Sequence, residues 1–172
     1  MRIDQINMTY DALEDRILLR VRTQDAVLAV LMITRRLTRG LVDGLLRSAA
    51  QGVSRVSPAA ADPMARREVL AFEHQARVQA SDFEKPFNPE GRSLFGEQPV
   101  LVSEVRLDGG GAANRWQLRF TGRDKQRLDM ALDAQGLHAV IKLFEDLLPQ
   151  TGWDIAMPSL RGEATAAGQV AH

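Results

Sequence analysis

The chain has 172 residues, 45% of them hydrophobic, with 22 basic and 22 acidic side chains. That predicts one globular domain whose core needs no staples. The absence of cysteine excludes disulfides, thiolate zinc sites, iron–sulfur clusters and thiol nucleophiles, and the zero net charge excludes a whole-molecule attraction to nucleic acid or anionic membrane.

The opening, MRIDQINMTYD, has no apolar leader, and the longest apolar run is Val27–Ile33. A cytoplasmic protein with no membrane contact is the expectation. A short strand is predicted at Ile3–Thr9. Ile17, Leu19 and Val21 alternate with Leu18, Arg20 and Arg22, the pattern of a half-buried strand. Thr23-Gln24-Asp25 turns the chain into Val27–Ile33, which is apolar on both faces and so predicts a central strand paired with its predecessor as a hairpin. Thr34 then caps a helix whose stripe is Leu37, Leu41 and Leu45, widened by Val42 and Leu46 and stopped near Gly52.

Asp62-Pro63 starts a second helix, with Asp at the cap and Pro at the first helical position. Its apolar stripe, Val69, Phe72, Ala76, Ala80 and Phe83, is expected to pack on the edge of the core. Glu84 to Gln98 carries Pro86, Pro89, Gly91 and Gly96 and reads as a long irregular loop. A three-strand meander follows: Val100–Leu107, then Trp116, Leu118 and Phe120 in alternation, then Leu128, Met130 and Leu132. Asp133 caps a last helix with the stripe Leu137, Val140, Ile141, Phe144, Leu147 and Leu148, expected to end before Pro149. The tail from Ser159 is Ala, Gly and polar residues and reads as disordered.

These elements define an α+β fold: two antiparallel β units, each followed by an amphipathic helix, with a helix pair between them, in a single domain over 1–158. The segments 16–50 and 99–148 echo each other as strand, turn, strand, cap and helix. Leu19-Arg20-Val21 aligns with Leu118-Arg119-Phe120, and Thr34 with Asp133. Two independent uses of a common ββα unit are the preferred account of this, with an ancient duplication as the alternative.

The search for chemistry yields little. His74, His138 and His172 are isolated in sequence and match no metal spacing. Asp11, Glu14 and Asp15 read as a polar turn with Arg16 as counter-ion. Gly109-Gly110-Gly111 lacks the Lys-Ser/Thr and the helix of a phosphate loop. No catalytic, cofactor-binding or metal residue is assigned, and no cofactor is expected.

Two surfaces remain. The apolar residues Phe87, Leu94 and Phe95 either mark a protein-binding loop or fold back over the sheet. Between Thr34 and Arg77 there are eight arginines against four acids, Asp43, Asp62, Glu68 and Glu73. Arg35, Arg39, Arg66 and Arg67 are therefore candidates for phosphate contacts, though without an aromatic stacking platform. The leading expectation is a non-enzymatic binding or adaptor protein with a protein partner, a second copy included. The alternative is a nucleic-acid-associated protein.

Glu14-Asp15-Arg16-Ile17-Leu18-Leu19-Arg20 and Met32-Ile33-Thr34-Arg35-Arg36 resemble the opening of a set of uncharacterised bacterial proteins. Those share an EDR-I-x-LR strand and an LTRR strand-to-helix junction. The likeness covers about the first forty residues. Met32-Ile33 stands where Trp-Leu is expected, and the resemblance implies no function. The element order is also similar to the head domain of eukaryotic end-joining scaffolds and centriolar cartwheel proteins, but no heptad stalk follows Pro149.

Overall fold

The computed structural model describes residues 2–56, 62–81, 83, 85–110 and 114–158. Among them the chain forms β1 (Ile3–Asp11), β2 (Arg16–Thr23), β3 (Val27–Thr34), α1 (Arg35–Val56), α2 (Pro63–Gln79), β4 (Arg92–Ser93), β5 (Val100–Gly109), β6 (Trp116–Gly122), β7 (Arg127–Leu132) and α3 (Ala134–Thr151). The tail expected to be disordered lies outside the described residues.

The two expected β units are one continuous mixed sheet, in the order β1-β2-β3-β5-β6-β7, with β4 beside the first part of β3. Both halves are antiparallel meanders of three strands, so the first unit is larger than a hairpin. They join through a parallel contact, Leu31 opposite Val100 and Met32 opposite Leu101. No local signal announces such a contact, because its two strands are separated by the long α1–α2 crossover that parallel pairing requires.

Alternation sets the faces. Ile17, Leu19 and Val21 on β2, Ala29, Leu31 and Ile33 on β3, Trp116, Leu118 and Phe120 on β6, and Leu128, Met130 and Leu132 on β7 are all buried on one side of the sheet. Against them pack Leu41, Val42, Leu45 and Ala49 of α1 and the full predicted stripe of α3. Each fully buried leucine or phenylalanine contributes about 1.5–3 kcal/mol.

The halves repeat each other under one constant shift in numbering, the shift that carries Ile17 onto Trp116. The pairs Ile17–Ile33, Leu19–Leu31 and Val21–Ala29 become Trp116–Leu132, Leu118–Met130 and Phe120–Leu128. Met8–Leu19 becomes Leu107–Leu118, and the bulge between Ile3 and Gln5 becomes the one between Val102 and Glu104. The left-handed turn residues also correspond: Asp15 (φ 50°) with Asn114 (φ 45°), and Ala26 (φ 52°) with Lys125 (φ 62°). Bulges and positive φ at non-glycine residues are costly local choices. Their recurrence at matched positions ties both halves to one backbone plan.

The helices follow the same plan. α1 leaves β3 and packs against β5; α3 leaves β7 and packs against β1. The sheet is therefore curled, so that its first strand meets the helix following its last. α2 lies outermost, on α1 and α3.

Three expectations are corrected. α1 continues past Gly52 to Val56. Pro149 lies inside the last turn of α3, which ends at Gly152 in the left-handed conformation (φ 64°); a proline there forfeits only one terminal hydrogen bond. The third concerns α2, whose orientation decides the site.

Candidate functional site

α2 begins as the sequence predicts. The Asp62 side chain accepts from the Ala65 N–H (3.2 Å), and Pro63 occupies the first turn. Its facing is the reverse of the expectation. Leu70 packs on the core and His74 is buried, whereas Phe72 is 74% exposed and Ala76, Ala80 and Phe83 are exposed with it. Of the predicted stripe, Phe72, Ala76, Ala80 and Phe83 point away from the core and Val69 is half-buried.

A polar contact holds the inward face. His74 and His138 bring their Nδ1 atoms to 3.0 Å, with ring centroids 5.2 Å apart and planes tilted by 50°. His74 Nε2 meets Glu145 Oε2 at 3.3 Å. Two bare lone pairs do not face each other at such a distance, so one Nδ1 carries the hydrogen. When both rings are neutral, His74 donates from Nε2 to Glu145, and the hydrogen between the rings belongs to His138. Burial pushes the His138 pKa down to about 4; the neighbouring His74 and the Arg77 guanidinium push the same way, against Glu145.

His138 also lines a shallow cleft with Glu73, Arg77, Trp116, Ala49 and Gly52. It has room for about one water molecule. Its polar groups offer hydrogen bonds, and among the described residues no serine, threonine or cysteine lines it. Among the described residues no three His, Cys, Asp or Glu side chains are grouped to hold a metal ion, and no helix is long and apolar enough to cross a membrane.

The first half closes the matching place. Asp15 Oδ1 accepts from the Tyr10 hydroxyl and the Trp153 indole N–H, each at 2.6 Å, and the two rings meet edge-on at 5.6 Å. Arg39, which occupies the helix position that His138 occupies in the second half, donates to the Asp154 carbonyl (2.6 Å). Gly109 stands where Tyr10 stands in the first half, which leaves the cleft unfilled.

The remaining sequence candidates are placed as follows. Arg35 stands near the Asp15 carboxylate, whose pKa it helps to lower. Arg35 and Arg39 open α1, and the exposed Arg66 and Arg67 open α2. The loop of Phe87, Leu94 and Phe95 is folded back along the sheet. Gln5 bonds the Pro86 carbonyl and the Asn88 N–H, Arg22 bonds the Glu90 carbonyl, and Leu94 N–H donates to Leu28. Phe95 packs on the core, Phe87 is half-buried and Leu94 is 40% exposed. The acidic turn is a turn: Asp11 Oδ1 caps the N–H groups of Leu13 and Glu14, and Arg16 lies 3.9 Å from Glu14.

The histidine pair escaped the sequence reading because its members lie on different helices. The available signal was local: His138 sits within the apolar stripe of α3, between Leu137 and Val140, where a histidine needs a buried partner. Compared with known protein families, curated proteins and solved structures, the chain matches none.

Proposed function

We propose that this chain is a protein-binding module and that the outward face of α2 is its contact surface. One observation carries the reading. Phe72 is 74% exposed in the middle of a helical stripe of Val69, Ala76 and Ala80, on a helix whose opposite face is anchored by the buried His74. Exposing a phenylalanine stripe while burying a histidine is a poor use of one helix in an isolated molecule. It suits a helix that binds on both sides.

A photo-crosslinking residue in place of Phe72, in the full chain in living cells, tests the reading. The same residue in place of the exposed Arg123, in the turn after β6, is the control. A protein adduct at Phe72 that is missing at Arg123 is expected. Equal labelling at both positions, or none at either, overturns the proposal.

A further inference from the structure

We propose that the outer edge of β7 is a second binding site, separate from the α2 face, and that it takes an extended, acidic, glycine-containing segment of a partner protein as an added parallel strand. The internal repeat shows how such a strand sits. On the first half the outer edge of β3 is occupied. Arg92 N–H donates to the Ala26 carbonyl and Leu94 N–H to the Leu28 carbonyl, each at 2.8 Å, and Leu101 of β5 lies opposite Met32. The shift that carries Ile17 onto Trp116 carries Ala26 onto Lys125, Leu28 onto Arg127 and Met32 onto Ala131. There β7 is the last strand of the sheet, and among the described residues no backbone group bonds to its outer side. The Gln126 carbonyl turns toward β6 and accepts from the Gly122 N–H at 2.8 Å. Alternation therefore aims the N–H and C=O groups of Arg127, Asp129 and Ala131 outward. Exposure agrees: Leu28 and Met32 are half-buried beside β4 and β5, whereas Arg127 and Ala131 are exposed.

The chemistry of the occupant follows from the same comparison. Gly91 (φ 152°) approaches β3 so closely that a Cβ would lie 2.5 Å from the Ala26 oxygen. A strand docked in the same way on β7 needs a glycine against the Lys125 oxygen. Charge selects the rest. The Asp129 carboxylate is shared by Arg119 and Arg127, each at 2.6 Å. Arg123 and Lys125 flank Asp124 in the exposed turn. This end of the hairpin thus sets four basic side chains against two acidic ones, while on the neighbouring β5 Arg106 and Glu104 pair with each other at 2.6 Å. Main-chain bonds give an added strand its affinity, and the side chains along the edge choose among sequences. An acidic segment meets this edge with complementary charge.

The test titrates the isotope-labelled full chain with a peptide that copies Asn88–Phe95 and carries Arg92→Glu and Ser93→Glu, followed by amide NMR. Saturable shifts at Arg127, Asp129 and Ala131 are expected, with half-saturation below ~1 mM. Gly91→Ala in the peptide is expected to weaken binding about tenfold or more, as is Arg123→Glu with Lys125→Asn in the protein. Lys125→Asn keeps a residue that tolerates the left-handed φ of 62°. Arg127→Pro removes an N–H aimed away from β6, so it is expected to abolish the shifts with an unchanged circular dichroism spectrum. Three results overturn the proposal: no shifts up to ~1 mM, shifts at Leu28 and Met32 in place of β7, or equal binding by the Gly91→Ala peptide. The crosslink at Phe72 reads the α2 face separately, so either site can fail without the other.

Discussion

The Nδ1 atoms of His74 and His138 lie 3.0 Å apart inside the protein, and Glu145 closes the far side of His74 at 3.3 Å. This polar chain lies on the inward face of α2, where Leu70 also packs on the core. It also makes the α2–α3 junction sensitive to acid. A proton on His138 is opposed by burial, by His74 and by the like charge of the Arg77 guanidinium, with Glu145 alone favouring it.

The sign follows from His138. Its ordinary pKa of 6.5 is lowered to about 4 in the folded protein. Below pH 6.5 the unfolded chain takes up a proton here that the folded chain refuses until about pH 4. The stabilisation is complete above 6.5, is lost as the pH falls, and is gone below about 4. Its upper bound is about 3 kcal/mol. Denaturant midpoints measured from about pH 7 to about pH 4.5 should fall steadily, and His138→Leu should flatten the slope. The carboxyls of Asp15 and Asp129, both held below 3.8, act at lower pH. A flat wild-type profile over that range contradicts the assignment.

What was legible in the sequence was what neighbours along the chain determine. The caps Asp62 and Asp133, the alternation through Trp116, Leu118 and Phe120, and the stripe from Leu137 to Leu148 all hold, because each depends on the period of one element. The parallel joint of Leu31 with Val100 is non-local and left no trace. For α2 the period was right and the direction wrong. Phe72, Ala76 and Ala80 do share an exposed face, but hydrophobicity alone sends that face inward, and here Leu70 and the buried His74 take the inward side. The echo of the two halves was visible at Leu19-Arg20-Val21 and Leu118-Arg119-Phe120; the equivalence of the bulges and of Asp15 with Asn114 is a property of backbone geometry and has no residue signature.

Thr38 is fully buried, and its hydroxyl oxygen has no hydrogen-bond partner among the described residues. The matching position in the second half is Leu137, equally buried. Thr38→Val keeps the shape and the helix propensity and removes an unsatisfied polar group. A gain of about 1 kcal/mol is expected, read as a rise in Tm of about 2–4 °C. A loss of similar size would mean that the hydroxyl is bonded in solution.

Two glycines should respond in opposite directions. A Cβ at Gly122 would lie 2.4 Å from Val100 Cγ1 and 2.7 Å from Gln126 Oε1, whereas a Cβ at Gly40, on α1, meets nothing within 4 Å. Gly122→Ala should cost about 1–3 kcal/mol through overpacking. Gly40→Ala should gain about 1 kcal/mol from helix propensity. The first half shows that the backbone itself tolerates a side chain at this register: Thr23 sits there and accepts a hydrogen bond from the Val27 N–H at 3.1 Å. The Gly122 penalty is therefore assigned to Val100 and Gln126, and Gly122→Ala with Val100→Ala should recover part of it. Thermal melts of the three variants check the signs.

Tyr10 is the only tyrosine in the chain, so its ionisation can be followed by absorbance without ambiguity. Its hydroxyl donates to Asp15 Oδ1 at 2.6 Å, and that bond is the leading cause of a pKa raised above 10.0, followed by burial and by the charges of Asp15 and Asp11. The same bond, with the Trp153 N–H, holds the Asp15 carboxyl below 3.8. Asp15→Asn removes the charge and keeps a residue that tolerates the left-handed φ of 50° at this turn. The tyrosine titration should then move down toward 10.0. Tyr10→Phe should make the reciprocal change, raising the Asp15 pKa, which a carboxyl titration by NMR would register. Because Asp15 also ties Trp153 to the β1–β2 turn, Asp15→Asn should loosen the segment after α3 and speed proteolysis between Gly152 and Pro158. An unmoved tyrosine titration with unchanged proteolysis would mean that Asp15 does not hold these two rings in solution.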